Sequence, residues 1–545
     1  MKPRLSESER EKLRHVAESV FDPKKIVSVC AYGSKVAGYS RKDSDYDLII
    51  IVKKFQEGVR YKYVKEPVAA SALIVEESLL MEDATMAALG EFVVGRFLNV
   101  YEPLSNEQVP RRAEVDYKRR IIAEALFELS SDYGDFCRNL IVPFDYFLFD
   151  KLKKRAMVYP PALYSYTHTY SGSMREENRE FTLGAFREAA SSLAAKNLIR
   201  VKGDAVTINP DKLKGDAFAK FLSLFSLTAR GVTQYAIHGY AGRVGLGIFK
   251  KEAFSKLRRM REKSNVPIEL ERPRRLLHLT EGVVFDQAAK MNEDLARLYG
   301  VGKNYSVEER SAGEVYTTAR VLILSDGERD VSFVVKRYSD VWSLKWALLS
   351  IWALTARKFS MAPLARLHRE YYASLKLRSR GVKTPKIVGV APDERVLVRE
   401  YVKGQLLSNV IDELLAGASS GLESVRSFGG ALAAVHKAGF ALGDSKASNV
   451  VVTDTEIFLT DLEQALEGGD MAWDLAEFLY YTAKLSARAG GMEKVARAFL
   501  GAYREENGKE TISKARSVRY LAPFQPILTP KMSKLMRDLL DEFSS

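Results

Sequence analysis

The fold of the C-terminal half of the chain is decided by the stretch His436-Lys-Ala-Gly-Phe-Ala-Leu-Gly-Asp444-Ser-Lys446-Ala-Ser-Asn449. Its small and polar residues predict a loop that contains both Asp444 and Asn449. Two short apolar runs follow, Val450–Val452 and Ile457–Leu459, and they predict a β-hairpin. The hairpin would deliver a second acidic residue, Asp461, to the end of the loop.

An Asp, an Asn five positions later and a second Asp after a hairpin are what ATP-dependent phosphoryl transfer requires. One Asp orients the attacking hydroxyl group, while the Asn and the other Asp hold magnesium against the phosphates. We therefore predict that Asp444 is catalytic and that Asn449 and Asp461 bind Mg2+. Lys446 is predicted to offset charge on the transferred phosphoryl group. The alternative is a polar hairpin turn, which many domains contain.

Residues upstream of this loop fit the same chemistry. Lys336 ends the apolar run Val334-Val335, where a lysine that holds the phosphates of ATP is expected. Glu370, which we expect near the start of a helix, is its predicted ion-pair partner, and Glu314 is a second candidate. Two further residues are predicted to bind ATP: Gly313, in a phosphate-covering loop at 311–314, and Glu400, in a hinge between two lobes.

With these motifs, residues from about 300 to 490 resemble the atypical kinases, namely the Rio and Bud32 protein kinases and the aminoglycoside phosphotransferases. Gly443-Asp444, Asn449, Asp461 and the run 469–476 match their pattern. The resemblance implies a bilobal kinase-like domain that uses ATP and Mg2+. Leu462-Glu463 replaces the Phe-Gly of ordinary protein kinases. Only twelve residues separate Asp461 from Asp474, too few for a long activation segment, which argues against an extended peptide substrate.

The charge of the chain favours a polyanionic partner. Its 545 residues have a net charge of +13 and a pI near 9.3. The most basic region runs from Lys250 to Arg275, and we predict that it binds RNA phosphates; a solvated charged face is the alternative. The residues chosen as RNA-binding are Arg258, Arg259, Arg261 and Lys263.

The location of the protein is predicted from its cysteines and its apolar segments. Cys30 and Cys137 lie far apart, which is typical of thiols in a reducing cytoplasm. The N-terminus has no apolar signal region, and the longest apolar stretch, 342–359, contains charges. We therefore expect a cytoplasmic protein without a membrane partner.

A second chemical signature lies near the N-terminus. Gly33-Ser34 predicts a tight turn that can approach a phosphate, and Asp45 and Asp47 are expected on one face of a strand. This pattern resembles the polymerase-β-type nucleotidyltransferases over residues 20–105. That family uses a third carboxylate, but the candidate strand 68–75 contains none and Glu76 at its end is a poor substitute. We expect a retained nucleotidyltransferase-like fold that serves as a platform.

The middle of the chain is predicted to be helical over residues 114–155. A helix over 182–193, followed by two short strands around Gly203-Asp204, predicts a winged helix. Such a module docks either nucleic acid or protein, and Arg187 and Lys196 are its candidate nucleic-acid contacts. Another helix is predicted over 280–298.

We therefore predict a multidomain α+β protein with four parts: a nucleotidyltransferase-like α/β domain (1–110), a helical and winged-helix domain (111–215), a basic helical connector (216–279) and a kinase-like domain (280–545). This order resembles an archaeal RNA kinase family that phosphorylates a ribose 2′-hydroxyl of tRNA. The resemblance implies an ATP-dependent RNA kinase with tRNA as partner.

Three alternatives remain open at this stage. They are a Ser/Thr protein kinase of Rio or Bud32 type, a nucleotidyltransferase whose kinase-like half only binds, and a catalytically silent RNA-binding assembly factor. The oligomeric state is also open.

Overall fold

The computed structural model describes residues 4–42, 44–213, 266–311, 319–339, 362–484, 489–506 and 508–545. The chain divides into two compact units. Unit one is Met1–Asp132 with Cys137–His278, and unit two is Tyr133–Phe136 with Leu279–Ser545. Gly313, Glu314, the predicted RNA-binding residues 258–263 and the apolar stretch 342–359 lie outside the described residues. The four-domain division stays a prediction.

Unit one begins with a sheet and its helices. The elements are α1 (Glu7–Val20), β1 (Ile26–Tyr32), α2 (Ser34–Ala37), β2 (Tyr46–Val52), β3 (Val59–Val64), β4 (Ala70–Glu76), α3 (Glu77–Met86) and β5 (Tyr101–Ser105). The sheet has the order β3-β4-β2-β1-β5, in which only β2 and β4 pair in parallel. Residues 48–52 of β2 are fully buried, which explains why this strand is a continuous apolar run.

The rest of unit one is mainly helical. Its elements are α4 (Gln108–Tyr133), β6 (Leu140–Pro143), α5 (Phe144–Val158), α6 (Pro161–Ser171), α7 (Arg175–Ala195), β7 (Ile199–Lys202), β8 (Ala205–Ile208), α8 (Pro210–Leu213) and α9 (Ile268–Glu271). The expected single helical stretch over 114–155 is wrong, because β6 interrupts it. β6 pairs with β8, so a partner distant in sequence overrides the local helical pattern.

The predicted winged-helix hairpin is present, since β7 and β8 pair antiparallel around the turn at Gly203. The helix before it, α7, is longer than the predicted span 182–193 and begins at Arg175. Cys30 in β1 is a core residue, and its burial raises the pKa of the thiol to about 12. Cys137 is buried as well.

Unit two begins with a sheet of strands from distant parts of the chain. The elements up to the kinase-like loop are β9 (His278–Leu279, at the junction of the units in sequence), β10 (Val283–Val284), α10 (Met291–Tyr299), β11 (Ser306–Ser311), β12 (Ala319–Ser325), β13 (Asp330–Arg337), α11 (Pro363–Ser379), β14 (Ile387–Ala391), β15 (Val396–Glu400) and β16 (Gln405–Leu406). Within this unit the strands follow the order β11-β12-β13-β15-β14-β10. An apolar cluster that includes Leu295, Phe333 and Val398 packs on this sheet.

The remaining elements of unit two form a helical layer with small hairpins. They are α12 (Leu407–Ala416), α13 (Leu422–Lys437), β17 (Phe440–Ala441), β18 (Val450–Val452), β19 (Ile457–Leu459), β20 (Leu466–Glu467), α14 (Met471–Ala483), α15 (Ala489–Glu505), α16 (Lys509–Ala515), α17 (Val518–Leu521) and α18 (Pro530–Ser544). The predicted hairpin is observed, because β18 and β19 pair antiparallel from Val450–Leu459 to Val452–Ile457. A large apolar core, with Phe428, Phe478 and Phe499 in mutual ring contact, holds the helices together.

The helix predicted over residues 280–298 is only partly correct. The helix α10 starts at Met291, and β10 precedes it. Gly282 has φ +78°, and a Cβ atom there would lie 2.8 Å from the carbonyl oxygen of Val388. The close approach of β10 to β14 therefore needs glycine at position 282. Because β10 pairs in parallel with β14, residues 283–284 are a strand and not part of a helix. Within the described residues, every helix is too short or too polar to cross a membrane.

Candidate active site

The centre of the candidate site is the ammonium group of Lys336. Its Nζ atom lies 2.8 Å from Oε2 of Glu370, 2.6 Å from Oδ1 of Asp461 and 3.0 Å from Oε2 of Glu463. The lysine side chain is only 5% exposed, so these interactions are poorly screened by water. Strand β13, the helix α11 and the segment after β19 thus meet at one cation.

Glu370 is held from two sides. The Tyr338 hydroxyl donates a hydrogen bond of 2.5 Å to its Oε2, and Arg399 Nη1 lies 3.4 Å from its Oε1. The sequence correctly places Glu370 beside Lys336 but expects it near the start of a helix. The helix α11 in fact begins at Pro363, and Glu370 lies two turns inside on its buried face.

The charged groups in this cluster shift one another's pKa values. Burial alone would lower the pKa of Lys336, but Asp461 and Glu370 outweigh it and hold that pKa above its usual value. Burial would raise the pKa of Asp461, yet Lys336 lowers it overall. Burial raises the pKa of Glu463 in spite of the neighbouring Lys336. The cluster therefore keeps a charged lysine beside at least one charged carboxylate at neutral pH.

Asp444 lies on a loop whose backbone is fixed by α14. The carboxylate of Asp474 accepts hydrogen bonds from the backbone N–H groups of Leu442 (2.6 Å) and Gly443 (2.7 Å), and His436 Nε2 lies 3.1 Å from it. One turn further along α14, Oε2 of Glu477 accepts a hydrogen bond of 2.9 Å from the backbone N–H of Ser445. Two buried acidic side chains, Asp474 and Glu477, thus set the position of Asp444, which lies between their backbone contacts in the loop.

The structure brings together the side chain of Asp444 with Lys446, and the backbone of Asp444 with Asn449. Lys446 Nζ lies 2.6 Å from Oδ1 of Asp444, and burial alone would lower the pKa of this lysine, but Asp444 holds it above its usual value. The amide nitrogen of Asn449 donates a hydrogen bond of 3.0 Å to the backbone oxygen of Asp444. Its amide oxygen is the remaining donor atom for a metal ion.

The residues that would hold magnesium fit that ion by their chemistry. Thr460 donates from its backbone N–H (2.8 Å) and its hydroxyl (2.9 Å) to the backbone oxygen of Asn449, which brings Asn449 next to the residue preceding Asp461. An amide oxygen and a carboxylate are both ligands that magnesium accepts. Oxygen atoms of Glu370, Asp461 and Glu463 also converge within 4.8 Å of one another, and the Nζ atom of Lys336 lies within 3.0 Å of all three residues.

Glu400 lies at the end of β15, where the sequence predicts a hinge. Its Oε1 accepts a hydrogen bond of 2.9 Å from the backbone N–H of Lys386. The backbone of the next residue, Tyr401, donates to Ser332 of β13. The placement is that of a connection out of the sheet, while a contact of Glu400 with ATP stays a prediction.

No role is predicted from the sequence for several residues that the structure places in the site. Glu463 joins the lysine cluster, Tyr338 and Arg399 hold Glu370, and Glu477 holds the loop. A sequence signal exists only for Asp474 and Glu477, which are three positions apart and so share one face of a helix. The others come from strands and loops whose side-chain directions follow from tertiary packing.

Of the residues predicted for a nucleotidyltransferase-like site, Gly33 and Asp47 lie side by side in unit one. Gly33 has φ +84°, and a Cβ atom on it would lie 2.3 Å from Oδ2 of Asp47, so only glycine fits beside that carboxylate. Asp45 lies just before β2 rather than inside it as expected, because the strand begins at Tyr46. Ser34 begins the short helix α2.

On the neighbouring strand β4, no carboxylate is in register with Asp47. β2 and β4 are parallel, and Asp47 is in register with Ser71. Glu76, the poor substitute at the end of β4, caps the helix α3 by accepting from the backbone N–H groups of Ser78 and Leu79. The third carboxylate that the predicted nucleotidyltransferase resemblance implies is therefore missing beside Asp47 on β4, which leaves that predicted set of metal ligands incomplete.

Because of this incomplete set, we expect Asp45→Ala combined with Asp47→Ala to leave transfer of the ATP γ-phosphate within about twofold of wild type. Transfer would be measured with γ-labelled ATP, beside incorporation of α-labelled nucleotide into RNA ends. Metal-dependent incorporation of the α-label that disappears in the double variant would contradict this prediction.

Of the two candidate nucleic-acid contacts in the predicted winged helix, Arg187 is paired with acidic residues and Lys196 is exposed. Arg187 pairs with Glu180 (2.6 Å) and Asp204 (2.8 Å), and Arg179 pairs with Asp145. These contacts favour a structural role for both arginines over contact with nucleic acid. Lys196 caps the end of α7.

A pH effect on stability is expected from Glu477. Burial, with the charge of Asp444 next, raises the pKa of Glu477 from 4.5 to about 8. Between these values the folded state retains a proton that the unfolded state releases, so the contribution of Glu477 to the free energy of unfolding falls as pH rises. Glu477→Gln, which keeps an oxygen to accept from Ser445, should remove this dependence. The measurement is urea unfolding of both proteins from pH 5 to pH 9.

The matched control for that experiment is Glu423→Gln, a substitution at an exposed position in α13. It should follow wild type at every pH. Parallel curves for wild type and Glu477→Gln would show that Glu477 is not protonated in the folded protein at neutral pH.

Comparison with known proteins gives one sequence relative and several low-scoring structural matches. No family model matches the chain. The sequence is 22% identical over 158 residues to the KEOPS complex subunit Bud32 of Pyrococcus abyssi, which covers 28% of this chain and 71% of that protein. This similarity and the geometry around Lys336 and Asp444 support a kinase-like fold. The chain is a phosphotransferase of the ATP-using kinase type, with an alcohol group as acceptor.

Solved structures that match include the bifunctional kinase-methyltransferase WbdD. Its sequence identity is 19%, the match covers 44% of this chain and 51% of that chain, and the TM-score is 0.26. A thermostable mutant of the aminoglycoside phosphotransferase APH(4)-Ia matches at 15% identity, 46% of this chain, 94% of that chain and a TM-score of 0.24. A putative aminoglycoside phosphotransferase from Ralstonia eutropha matches at 12% identity, 47% of this chain, 98% of that chain and a TM-score of 0.26. The chain spans about half of the WbdD chain, and TM-scores this low carry no argument about function.

Proposed function

We propose that this chain is an ATP-dependent RNA kinase that transfers the γ-phosphoryl group to a ribose hydroxyl of tRNA. The observation that supports kinase chemistry best is Lys336, which joins Glu370, Asp461 and Glu463 at one buried cation. A buried lysine held by a helical glutamate is the arrangement that positions ATP phosphates in kinases.

Each residue of the site has a proposed task. Asp444 accepts a hydrogen bond from the attacking hydroxyl group, and Lys446, 2.6 Å from it, offsets charge on the phosphoryl group in transfer. Lys336 binds the phosphates of ATP, with Glu370 holding its direction. Asn449 and Asp461 would hold magnesium, which when bound neutralises phosphate charge. Gly313 and Glu400 are proposed to contact ATP as well.

An RNA acceptor is proposed on two grounds. The net charge of +13 favours a polyanion over an ordinary protein surface. The twelve residues between Asp461 and Asp474 leave no room for a long segment that would hold an extended peptide. The N-terminal nucleotidyltransferase-like domain and the winged helix would then help to position RNA. The proposed domain boundaries are 1–110, 111–215, 216–279 and 280–545.

A protein kinase of Rio or Bud32 type is the second candidate, and the 22% identity to Bud32 is the observation that favours it. A nucleotidyltransferase with a silent kinase-like half ranks below both, because Ser71 stands beside Asp47 while the lysine cluster is complete.

The two kinase candidates are separated by one transfer experiment. The full chain is incubated with γ-labelled ATP and Mg2+, either with a total tRNA pool or with a protein lysate, and Asp444→Ala is included in both arms. We expect label in tRNA that depends on Asp444 and that nuclease treatment releases as a labelled nucleotide. Label that enters only protein would replace the RNA-kinase proposal with the protein-kinase one.

A further inference from the structure

A basic cleft lies among the C-terminal helices of unit two, away from the lysine cluster in sequence. Its volume is about 540 Å3. Residues of α16, α17, α18 and the turn between the first two line it: Ser513, Lys514, Arg516, Ser517, Arg519, Tyr520, Arg537 and Asp541. We call it the α16–α18 cleft.

The α16–α18 cleft is strongly cationic. Four of its lining side chains are basic and one, Asp541, is acidic. Asp541 pairs with Arg516, while Arg519 is 3.7 Å from Asp470, and both arginines are about half exposed. Arg537 is exposed on α18, and Lys514 is 65% exposed beside Glu510. The cations thus remain accessible to a ligand from solvent.

The cleft continues along α18 as a second concavity of about 590 Å3 that shares Arg537 and Asp541 with it. The two shared residues also act electrostatically on a buried hydroxyl group. The hydroxyl of Tyr480 is buried and has no hydrogen-bond partner among the described residues, and the charges of Arg537 and Asp541 both act on it. The second concavity is lined by Lys534 and Arg537 but also by Asp538 and Asp541, so the excess of positive charge lies in the α16–α18 cleft itself.

One wall of the cleft is connected to the catalytic loop. The Tyr520 hydroxyl donates to the carboxylate of Asp470 at 3.0 and 2.9 Å, and Asp470 caps the N-terminus of α14. The same helix contains Asp474 and Glu477, which hold the backbone on either side of Asp444. A residue that lines the cleft, Tyr520, therefore contacts the residue that caps the helix positioning the proposed catalytic residue.

We infer that the α16–α18 cleft binds backbone phosphates of the acceptor RNA, at nucleotides flanking the one that is phosphorylated. This inference rests on the proposed function. Arginine guanidinium groups match phosphate oxygens in a bidentate way, and the serine and tyrosine hydroxyls can donate to the same oxygens. RNA supplies phosphates at regular spacing, and the excess positive charge of the whole chain complements it.

The test is binding of tRNA to the full chain in the absence of ATP, at several salt concentrations. The variant Lys514→Gln with Arg537→Gln removes two exposed cations of the cleft. Each lost phosphate contact lowers the salt slope by roughly 0.7–0.9, so the slope should fall by roughly 1.4–1.8 and binding at 0.1 M salt should weaken roughly 25- to 60-fold. The matched control, Lys494→Gln with Lys531→Gln, removes two exposed helical cations outside the cleft and should bind as wild type does.

Kinetics of the same proteins give a second readout. KM for tRNA should rise by a similar factor in the cleft variant, with KM for ATP unchanged, because the cleft does not include the ATP-binding residues. Wild type that neither binds nor phosphorylates tRNA would overturn the proposed function together with this inference. Wild type that does both, with cleft and control variants alike in slope and KM, would overturn the inference alone. Equal losses in both variants would also overturn it, since they would show a diffuse charge effect.

Discussion

Asp444→Ala is expected to lower phosphoryl transfer by at least ~10²-fold, because it removes the carboxylate that orients the attacking hydroxyl group. The fold should survive. The loop is held through the backbone N–H groups of Leu442, Gly443 and Ser445, and Asn449 bonds to the backbone oxygen of Asp444. None of these contacts uses the side chain that is removed. Single-turnover transfer with γ-labelled ATP and a thermal melt of the same protein measure the two expectations.

The control for this substitution is Asp454→Ala, an exposed aspartate in the turn of the β18–β19 hairpin. It should transfer at the wild-type rate. If Asp444→Ala transferred phosphate within a few-fold of wild type, Asp444 would have no part in the proposed mechanism. If Asp444→Ala were unfolded, the loop would depend on the Asp444 side chain and not on its backbone contacts alone.

Lys336→Ala is expected to affect both ATP binding and stability. It removes the cation shared by Glu370, Asp461 and Glu463, all within 3.0 Å of its Nζ atom. Removal of one partner from a buried ion pair costs about 3–5 kcal/mol of unfolding free energy. Arg399 and Arg366 remain beside Glu370 and Glu463, so we expect the lower end of this range. ATP affinity should fall more than in Asp444→Ala, since Lys336 is the proposed phosphate ligand. Urea unfolding and nucleotide titration measure the two effects.

The loss of stability in Lys336→Ala should be smaller at low pH. The carboxylates that have lost Lys336 can then take up protons, and burial already raises the pKa of Glu463. Lys383→Ala is the control, since it removes a lysine 3.0 Å from Glu456 in an exposed pair and should cost at most about 1 kcal/mol. If Lys336→Ala lowered the unfolding free energy by a similarly small amount and left ATP affinity unchanged, Lys336 would be neither a key stabilising residue nor the phosphate ligand.

The local parts of the site follow from the sequence. The hairpin Val450–Val452 and Ile457–Leu459 was predictable because two short apolar runs flank a polar turn, and hairpin formation depends on neighbouring residues. The strand that ends near Lys336 and the helix that contains Glu370 were also predictable from neighbouring residues. Burial of an ordinary lysine has a high cost, so a partner had to exist, and the order of motifs pointed to Glu370.

The tertiary structure alone decided the other features. β6 is a strand because β8 lies beside it, and Ser71 occupies the place next to Asp47 because β2 and β4 pair in one particular register. Glu463 reaches Lys336 because Asp461, at φ +57°, turns the chain after β19. Strand register, side-chain direction and helix approach depend on residues far apart in the chain, and the free energy that sets them comes from packing of the whole unit rather than from local sequence.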